Sequence, residues 1–446
     1  MEPLTPDEPA HPPLARLAVE PLLTGAGEAR HTAFHDDLRA RYGPVAPVDA
    51  GGVPAWLVLG YPQMLDVLRD ARGVWSKDPA AWREREGGRV PADWPHAPQA
   101  ATGSALFADG AALDRLRAAW AAALAVLQDR KRPEARALER GVARDADELI
   151  TALVRTHGAT GTADLAAGYA RPLALLATLR LLGLPDGVRA DLAVLLGEGP
   201  DASAAAERVA AAVRERCAQA REARGADLAS LLHAADPGLT ADELAGEAML
   251  AVRWVGGHTG ALICSTILEA SGDGAGSAGG LLPEAVNRAA LHAPPASYLT
   301  FRCPRSGVRL GRYHLAAGDP VLLSTAAAHA DPSFAGGLPA DAVHSSRAHL
   351  AWGAGPHACL GRDLATGLAV LAVERLAAAL PVLRPAVPRD ELEWRATPLV
   401  LAPRELPMRY EAAVDPGADA AGAADPEPSP RPSRRRLRLP RRSRDA

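Results

Sequence analysis

Lysine is almost missing from this 446-residue chain: Lys77 and Lys131 are the only two, so nearly every positive charge is an arginine. The bias is that of a GC-rich coding sequence and carries no mechanism by itself. Aromatic residues make up only 4% of the chain. Cysteine is scarce too. Cys217, Cys264, Cys303 and Cys359 are far apart and form no CxxC pair. That spacing excludes a disulfide framework and an iron–sulfur cysteine set, and it points to a reducing compartment, the cytoplasm. No flavin-binding motif is present. No run of about 18 uncharged apolar residues occurs, so no transmembrane helix is expected. The opening MEPLTPDEPAHPP is acidic and proline-rich, and reads as neither a signal peptide nor a membrane anchor.

What is there is ordinary globular composition, 48% hydrophobic and 23% charged, in a chain long enough to bury a large core. From about Ala111 to Ala270, stretches such as LDRLRAAWAAALAVL, ALERGVARDADELITALVRTH and ADLASLLHAA repeat apolar residues three and four apart, the pattern of amphipathic helices. HGATGTADL (from His157) and LLGLPDGVRADL (from Leu181) break them. Strand signals are short: TFRCPRSGVRLGRYHLAAGDPVLLST (from Thr300) and LEWRATPLVLAPRELPMRYE (from Leu392). The fold class is therefore mainly α with a small β component. Residues 1–413 read as one folded domain, and residues 414–446, rich in Pro, Ala and Arg, as a disordered tail. The net charge of −4 is divided: the last sixteen residues carry eight Arg and one Asp, which leaves the rest of the chain at −11. Such a tail is an electrostatic handle for an acidic protein or an anionic membrane surface, and would place a cytoplasmic protein peripherally on that surface. No motif for specific nucleic acid recognition accompanies it.

The densest chemical signal is HLAWGAGPHACLGRDLA, from His349 to Ala365. A lone cysteine, Cys359, stands in a glycine-rich loop just before a helical pattern. A lone cysteine is more often a small core residue than a ligand. A thiolate bound to iron, however, needs backbone room, amide donors aimed at sulfur, and shelter from water. Gly353, Gly355 and Gly361 offer close backbone approach and unusual dihedrals. A helix starting beyond Cys359 is expected to lower its thiol pKa.

This loop resembles the haem-binding loop of the cytochrome P450 family, Phe-Gly-x-Gly-x-His-x-Cys-x-Gly, at every position except Trp352, which replaces Phe. The resemblance implies the cytochrome P450 fold, with haem b (iron protoporphyrin IX) between a long central helix and the cysteine loop, Cys359 as the metal ligand, and His357 at the haem edge near a propionate. Trp352 keeps the aromatic face beside the thiolate. GAALDRLRAAW (from Gly110) is similar to the family's helix whose His and Arg, one turn apart, share a propionate; Arg117 keeps the arginine, while Leu113 replaces the histidine. LHAPPASYLTFR (from Leu291) resembles the Pro-Pro turn and the strand that bears a propionate-binding arginine, here Arg302. LAAGDPVLLSTAAAHADPSF resembles the strand segment that follows. The C-terminal LEWRATPLVLAPRELPMRY is similar to the segment that projects a turn into the substrate pocket, with Thr397, Pro398 and Leu399 as contact candidates.

Two departures stand out. The family's Glu-x-x-Arg pair, which locks the core, falls on Arg288 and Leu291 and is absent; a buried Arg288 needs another acid, and Asp341 is the candidate. In the central segment GEAMLAVRWVGGHTGALICSTIL, where the family reads Ala-Gly-x-Glu/Asp-Thr-Thr, Gly256, Gly257 and Thr259 remain but no carboxylate precedes the threonine. Thr259 stands at the position of either the acid or the alcohol. His258 is a proton donor in principle, although packing against a neighbouring helix is the simpler role. The catalytic candidates are thus Thr259, His258 and Gly257; those for the cofactor are Cys359, His357, Arg302, Arg117, Trp352, Gly353 and Gly361.

The resemblance implies a monooxygenase acting on a small hydrophobic substrate with O2 and electrons from a separate ferredoxin and ferredoxin reductase. The departures leave an alternative: a haem-binding scaffold or sensor with weakened catalysis, in a regulatory complex associated with small GTPases.

Overall fold

The computed structural model describes residues 14–22, 28–83, 87–88, 90, 104–197, 201–271, 282–296, 298–335, 348–396 and 400–413. Asp341, Thr397 to Leu399 and the Arg-rich tail lie outside them.

The helices follow from their apolar spacing. In Gly110–Gln128 the buried positions are Leu113, Leu116, Ala119, Ala123, Leu124 and Leu127, a stripe with steps of three and four. In Ala202–Glu222 they are Ala205, Val209, Val213, Cys217 and Ala220. Leu113, expected from its place in the sequence to replace a polar ligand, is an ordinary member of the first stripe. Ala241–Arg253 begins at a capping box, in which the Thr240 hydroxyl accepts from the Glu243 amide and the Glu243 carboxylate accepts from the Thr240 amide. It runs through a π-helical turn, Trp254–His258, into Thr259–Ser271. Every residue from Thr259 to Leu268 is buried. A helix apolar on all sides belongs at the centre of a core. Leu262, Ile263 and Ile267 pack there with Tyr169, Leu173, Leu376 and Trp394.

The strands form small sheets around this helical body. The largest has the order Glu20–Pro21, Val45–Asp49, Pro54–Val58, Val321–Ser324, Tyr298–Pro304, Trp75–Ser76. The strands expected after Thr300 are present as Tyr298–Pro304, Val308–Leu310, Tyr313–Leu315 and Val321–Ser324. The break expected at HGATGTADL is more than a break. Thr160–Asp164 is a strand, paired antiparallel with Pro407–Glu411, which also pairs with Val382–Pro385.

The acid that meets Arg288 is Glu269, near the end of the central helix. Its carboxylate lies 3.5 Å from Arg288 Nε, 3.0 Å from His292 Nδ1 and 2.6 Å from Arg389 Nη1. Burial pushes the Glu269 carboxyl up, but hydrogen bonds with His292 and Arg389 outweigh it and hold it at about 2. The folded value lies below the ordinary 4.5, so the ionised form favours the fold. Its contribution is complete above pH 4.5 and is lost as pH falls toward 2. Glu269→Gln is expected to cost about 2 kcal/mol at neutral pH, after allowance for its half-exposed partners. It should also flatten the acid limb of a plot of unfolding free energy against pH; an unchanged acid limb would contradict this role.

Candidate active site

The cysteine loop is a short folded hairpin. Gly353 N–H donates to the Leu350 carbonyl (2.9 Å), Ala358 N–H to Gly355 (3.0 Å) and Cys359 N–H to Trp352 (2.8 Å). Gly353 and Gly355 both have φ of +67°, where a side chain is strained. A Cβ on Gly355 would also stand 2.2 Å from the Leu68 carbonyl oxygen, so only glycine lets the loop rest on helix Tyr61–Arg69. Gly361 departs from the expectation. Its φ is −80°, an ordinary value, and a Cβ there would make only an ordinary contact, 3.9 Å from the Cys359 sulfur. Helix Arg362–Ala379 starts immediately after it. Burial raises the Cys359 thiol above its usual pKa, while amide hydrogen bonds from Gly361 and Arg362 and the charge of Arg117 offset only part of this. The expected depression by the helix terminus is therefore outweighed by desolvation. Cys217, Cys264 and Cys303 are buried; Cys359 alone has exposed surface, and that surface lines a large cavity.

The cavity encloses about 1440 Å³ of atom-free space, part of it open to solvent, between the cysteine loop and the central helix. The central helix contributes Leu250, Ala251, Trp254, Val255, His258, Thr259 and Leu262. These positions recur every four residues. In an α-helix a four-residue step overshoots a turn by about 40°. The wider π turn at Trp254–His258 absorbs that excess and keeps one face toward the cavity. His258 lines the cavity with its ring 4.4 Å from that of Trp254, so it is not confined to a helix contact. Gly257 is absent from the wall, and a Cβ on it would approach Val400 at 3.3 Å. It belongs to packing behind the turn. Among the described residues, no carboxylate lines the cavity.

The opposite corner is basic. Lys77, Arg117, Arg302 and His357 all line it. Leu299 and Arg302, three apart on one strand, would normally face opposite ways. A register shift between them brings both into the wall. Arg302 is buried and its Nη1 has no hydrogen-bond partner. Burial lowers it to about 10 despite the nearby Asp70 and Asp109. Lys77 is buried too, and desolvation and Arg302 push it well below its usual value. Arg117 Nη1 donates to the Ala358 carbonyl (2.9 Å), which ties its helix to the cysteine loop. His357 Nε2 lies 3.8 Å from Asp109, and burial lowers His357 to about 4. Asp109 is already engaged by the Ser76 hydroxyl, the Lys77 amide and Arg305. The donor set fits a haem: the orphaned Arg302 nitrogen could take a propionate, the apolar walls the ring, and the Cys359 sulfur the iron. Trp352 and Gly353 complete the wall beside the sulfur.

Sequence reasoning missed Lys77, whose signal was its rarity: one of only two lysines in the chain. It also missed Trp120 and Trp254, and Glu247, which accepts from Trp120 Nε1 (2.6 Å) and the Ala105 amide (2.6 Å) behind the wall. Burial raises Glu247 to about 7. Removing one charge-assisted hydrogen bond of the basic corner through Arg302→Leu is expected to weaken haem binding about tenfold. Haem titration of the apoprotein checks it; equal affinities would place the propionates elsewhere.

No family model matches the chain. It is 31% identical over 379 residues to nocardicin C N-oxygenase from Nocardia uniformis subsp. tsuyamanensis, covering 80% of this chain and 90% of that protein. To the cytochrome P450 monooxygenase PikC from Streptomyces venezuelae it is 29% identical over 385 residues, covering 82% of this chain and 88% of that one. Among solved structures, CYP154A1 from Streptomyces coelicolor A3(2) superposes with a TM-score of 0.73 at 25% identity, over 87% of this chain and 99% of that chain. CYP154C4 from Streptomyces sp. ATCC 11861 shares the fold, with a TM-score of 0.76 at 24% identity, over 90% of this chain and all of that chain. With the relative of 31% identity matched over nine-tenths of its length, the chain belongs to the cytochrome P450 family of haem-thiolate monooxygenases.

Proposed function

We propose that the chain oxidises a small apolar molecule with O2, using electrons from a separate ferredoxin and ferredoxin reductase, and that Cys359 ligates the iron. The observation that carries the reading is the pairing of two walls: a sulfur held by the Gly361 and Arg362 amides on one side, and His258 with Thr259 on a π turn on the other. Haem b, when bound, supplies the oxygen-activating chemistry. Arg302, Lys77, Arg117 and His357 would hold its carboxylates. Leu250, Trp254, Leu124 and Leu181 line the wall with apolar surface, which excludes water and suits a substrate without charge. Thr259 brings a hydroxyl proton to the cavity, and the His258 imidazole, steadied by Trp254, is a titratable group on the same helical wall. With no carboxylate in the wall, these two carry the proton delivery that the family assigns to an acid and an alcohol.

The loss of one relay group slows a relay without dismantling the site, which favours an enzyme over a scaffold with a dormant haem. With surrogate redox partners, NAD(P)H oxidation should be coupled to product. Thr259→Ala is expected to cut product formed per NAD(P)H by about tenfold, and Thr259→Ser to restore most of it. His258→Phe, which keeps the stack on Trp254, should also lower coupling. A haem-loaded protein that yields no product with any partner would instead support the scaffold role.

A further inference from the structure

This chain lacks the family's buried charge lock, yet its cysteine loop is fastened to the same helix. On Leu282–His292, Arg288 turns away to Glu269 and Leu291 is a buried apolar side chain. What faces the cysteine loop is the Asn287 side chain and the Leu291 carbonyl. His349, buried at the start of the loop, has its Nε2 3.1 Å from Asn287 Oδ1. His329, at the end of Thr325–His329, reaches both partners. Its Nδ1 is 2.9 Å from the Leu291 carbonyl, and its Nε2 accepts from the Leu350 amide at 2.8 Å.

Those two contacts fix the state of the His329 ring. A carbonyl can only accept and an amide N–H can only donate, so Nδ1 carries the proton and Nε2 does not. The imidazole is neutral and bridges two backbones. Burial, reinforced by His349 and His292, lowers its pKa to about 3, consistent with that state. The His329 and His349 rings meet edge to face at 5.8 Å. Beyond Leu350 the hairpin bonds continue: Leu350 to Gly353, and Trp352 to the Cys359 amide. The sulfur therefore sits a few hydrogen bonds away from His329.

We infer that His329, His349 and Asn287 form a neutral clasp that takes over, in this chain, the task of the missing ion pair, holding the cysteine loop on helix Leu282–His292 and thereby placing the Cys359 sulfur. They are positioning residues. The clasp rests on Cys359 as the iron ligand, and it explains how that loop keeps its geometry without Glu-x-x-Arg. Neutral groups avoid the large desolvation cost of a buried charge pair, and cutting the His329 bridges removes a partner from the Leu291 carbonyl and the Leu350 amide.

The test uses the haem-loaded full chain and reads two signals besides turnover: the position of the ferrous–CO Soret band and the rate of haem loss to an acceptor protein. His329→Leu keeps the volume and removes both bridges. It should lose haem about tenfold faster and shift much of the ferrous–CO absorbance out of the thiolate band, with far-ultraviolet circular dichroism unchanged. His329→Gln, which can donate and accept, should recover most of both signals. Asn287→Ala, a smaller change that serves if His329→Leu does not fold, should move them in the same direction, and adding His349→Phe should add little further. Unchanged haem loss and an intact thiolate band in His329→Leu or in Asn287→Ala would overturn the clasp. A wild-type protein without the thiolate band would overturn the ligand assignment as well, and that is visible before any variant is made.

Discussion

The Cys359 sulfur is the one cysteine sulfur that faces the cavity, and the loop that presents it is held by contacts from several elements. Desolvation raises the thiol; the Gly361 and Arg362 amides and the Arg117 charge pull the other way without prevailing. A metal-bound thiol loses its proton, so the proposed ligation to iron would favour the thiolate. The loop that presents the sulfur can approach helix Tyr61–Arg69 only through Gly355. Arg117 fastens the loop to a third element by its bond to Ala358. Position and protonation of one atom thus depend on contacts from several separate stretches of chain.

The cavity is divided in the same economical way. Its basic corner concentrates Lys77, Arg117, Arg302 and His357, with Arg302 left one hydrogen-bond partner short. Its other walls are mostly apolar, and the polar groups on the central helix are His258 and Thr259. Such an arrangement separates anchoring from chemistry. Cationic groups gather at one end, while His258 and Thr259 line the wall contributed by the central helix at the end of its π turn. The π turn follows from the four-residue recurrence of the lining positions, and a straight α-helix would rotate Leu262 away from the wall that Leu250 occupies.

Much of this was legible in the sequence where the signal was local. The Gly-rich loop announced Cys359; the Pro-Pro turn and its strand announced Arg302; three-and-four spacing announced the helices. Contacts made by distant segments were not legible. Nothing local in Thr160–Asp164 indicates pairing with Pro407–Glu411, and nothing near Arg288 indicates Glu269 as its partner. Asp341, the partner suggested by the family pattern, lies outside the described residues. Lys77 escaped notice because its role is set by what folds around it. Gly361 was credited with an unusual dihedral because glycine permits one, whereas its backbone is ordinary and has room for a Cβ. Of the three catalytic candidates on the central helix, His258 and Thr259 line the cavity and Gly257 does not, a distinction that a short segment carries no periodic clue to.

The most direct test of the account is the carbon monoxide difference spectrum of the reduced, haem-loaded protein, recorded for wild type and for Cys359→Ala. Thiolate ligation predicts the strongly red-shifted Soret band in wild type and its complete loss in the variant, with the Arg302 corner still retaining haem. A wild-type spectrum without that band, or a variant that keeps it, would contradict Cys359 as the ligand.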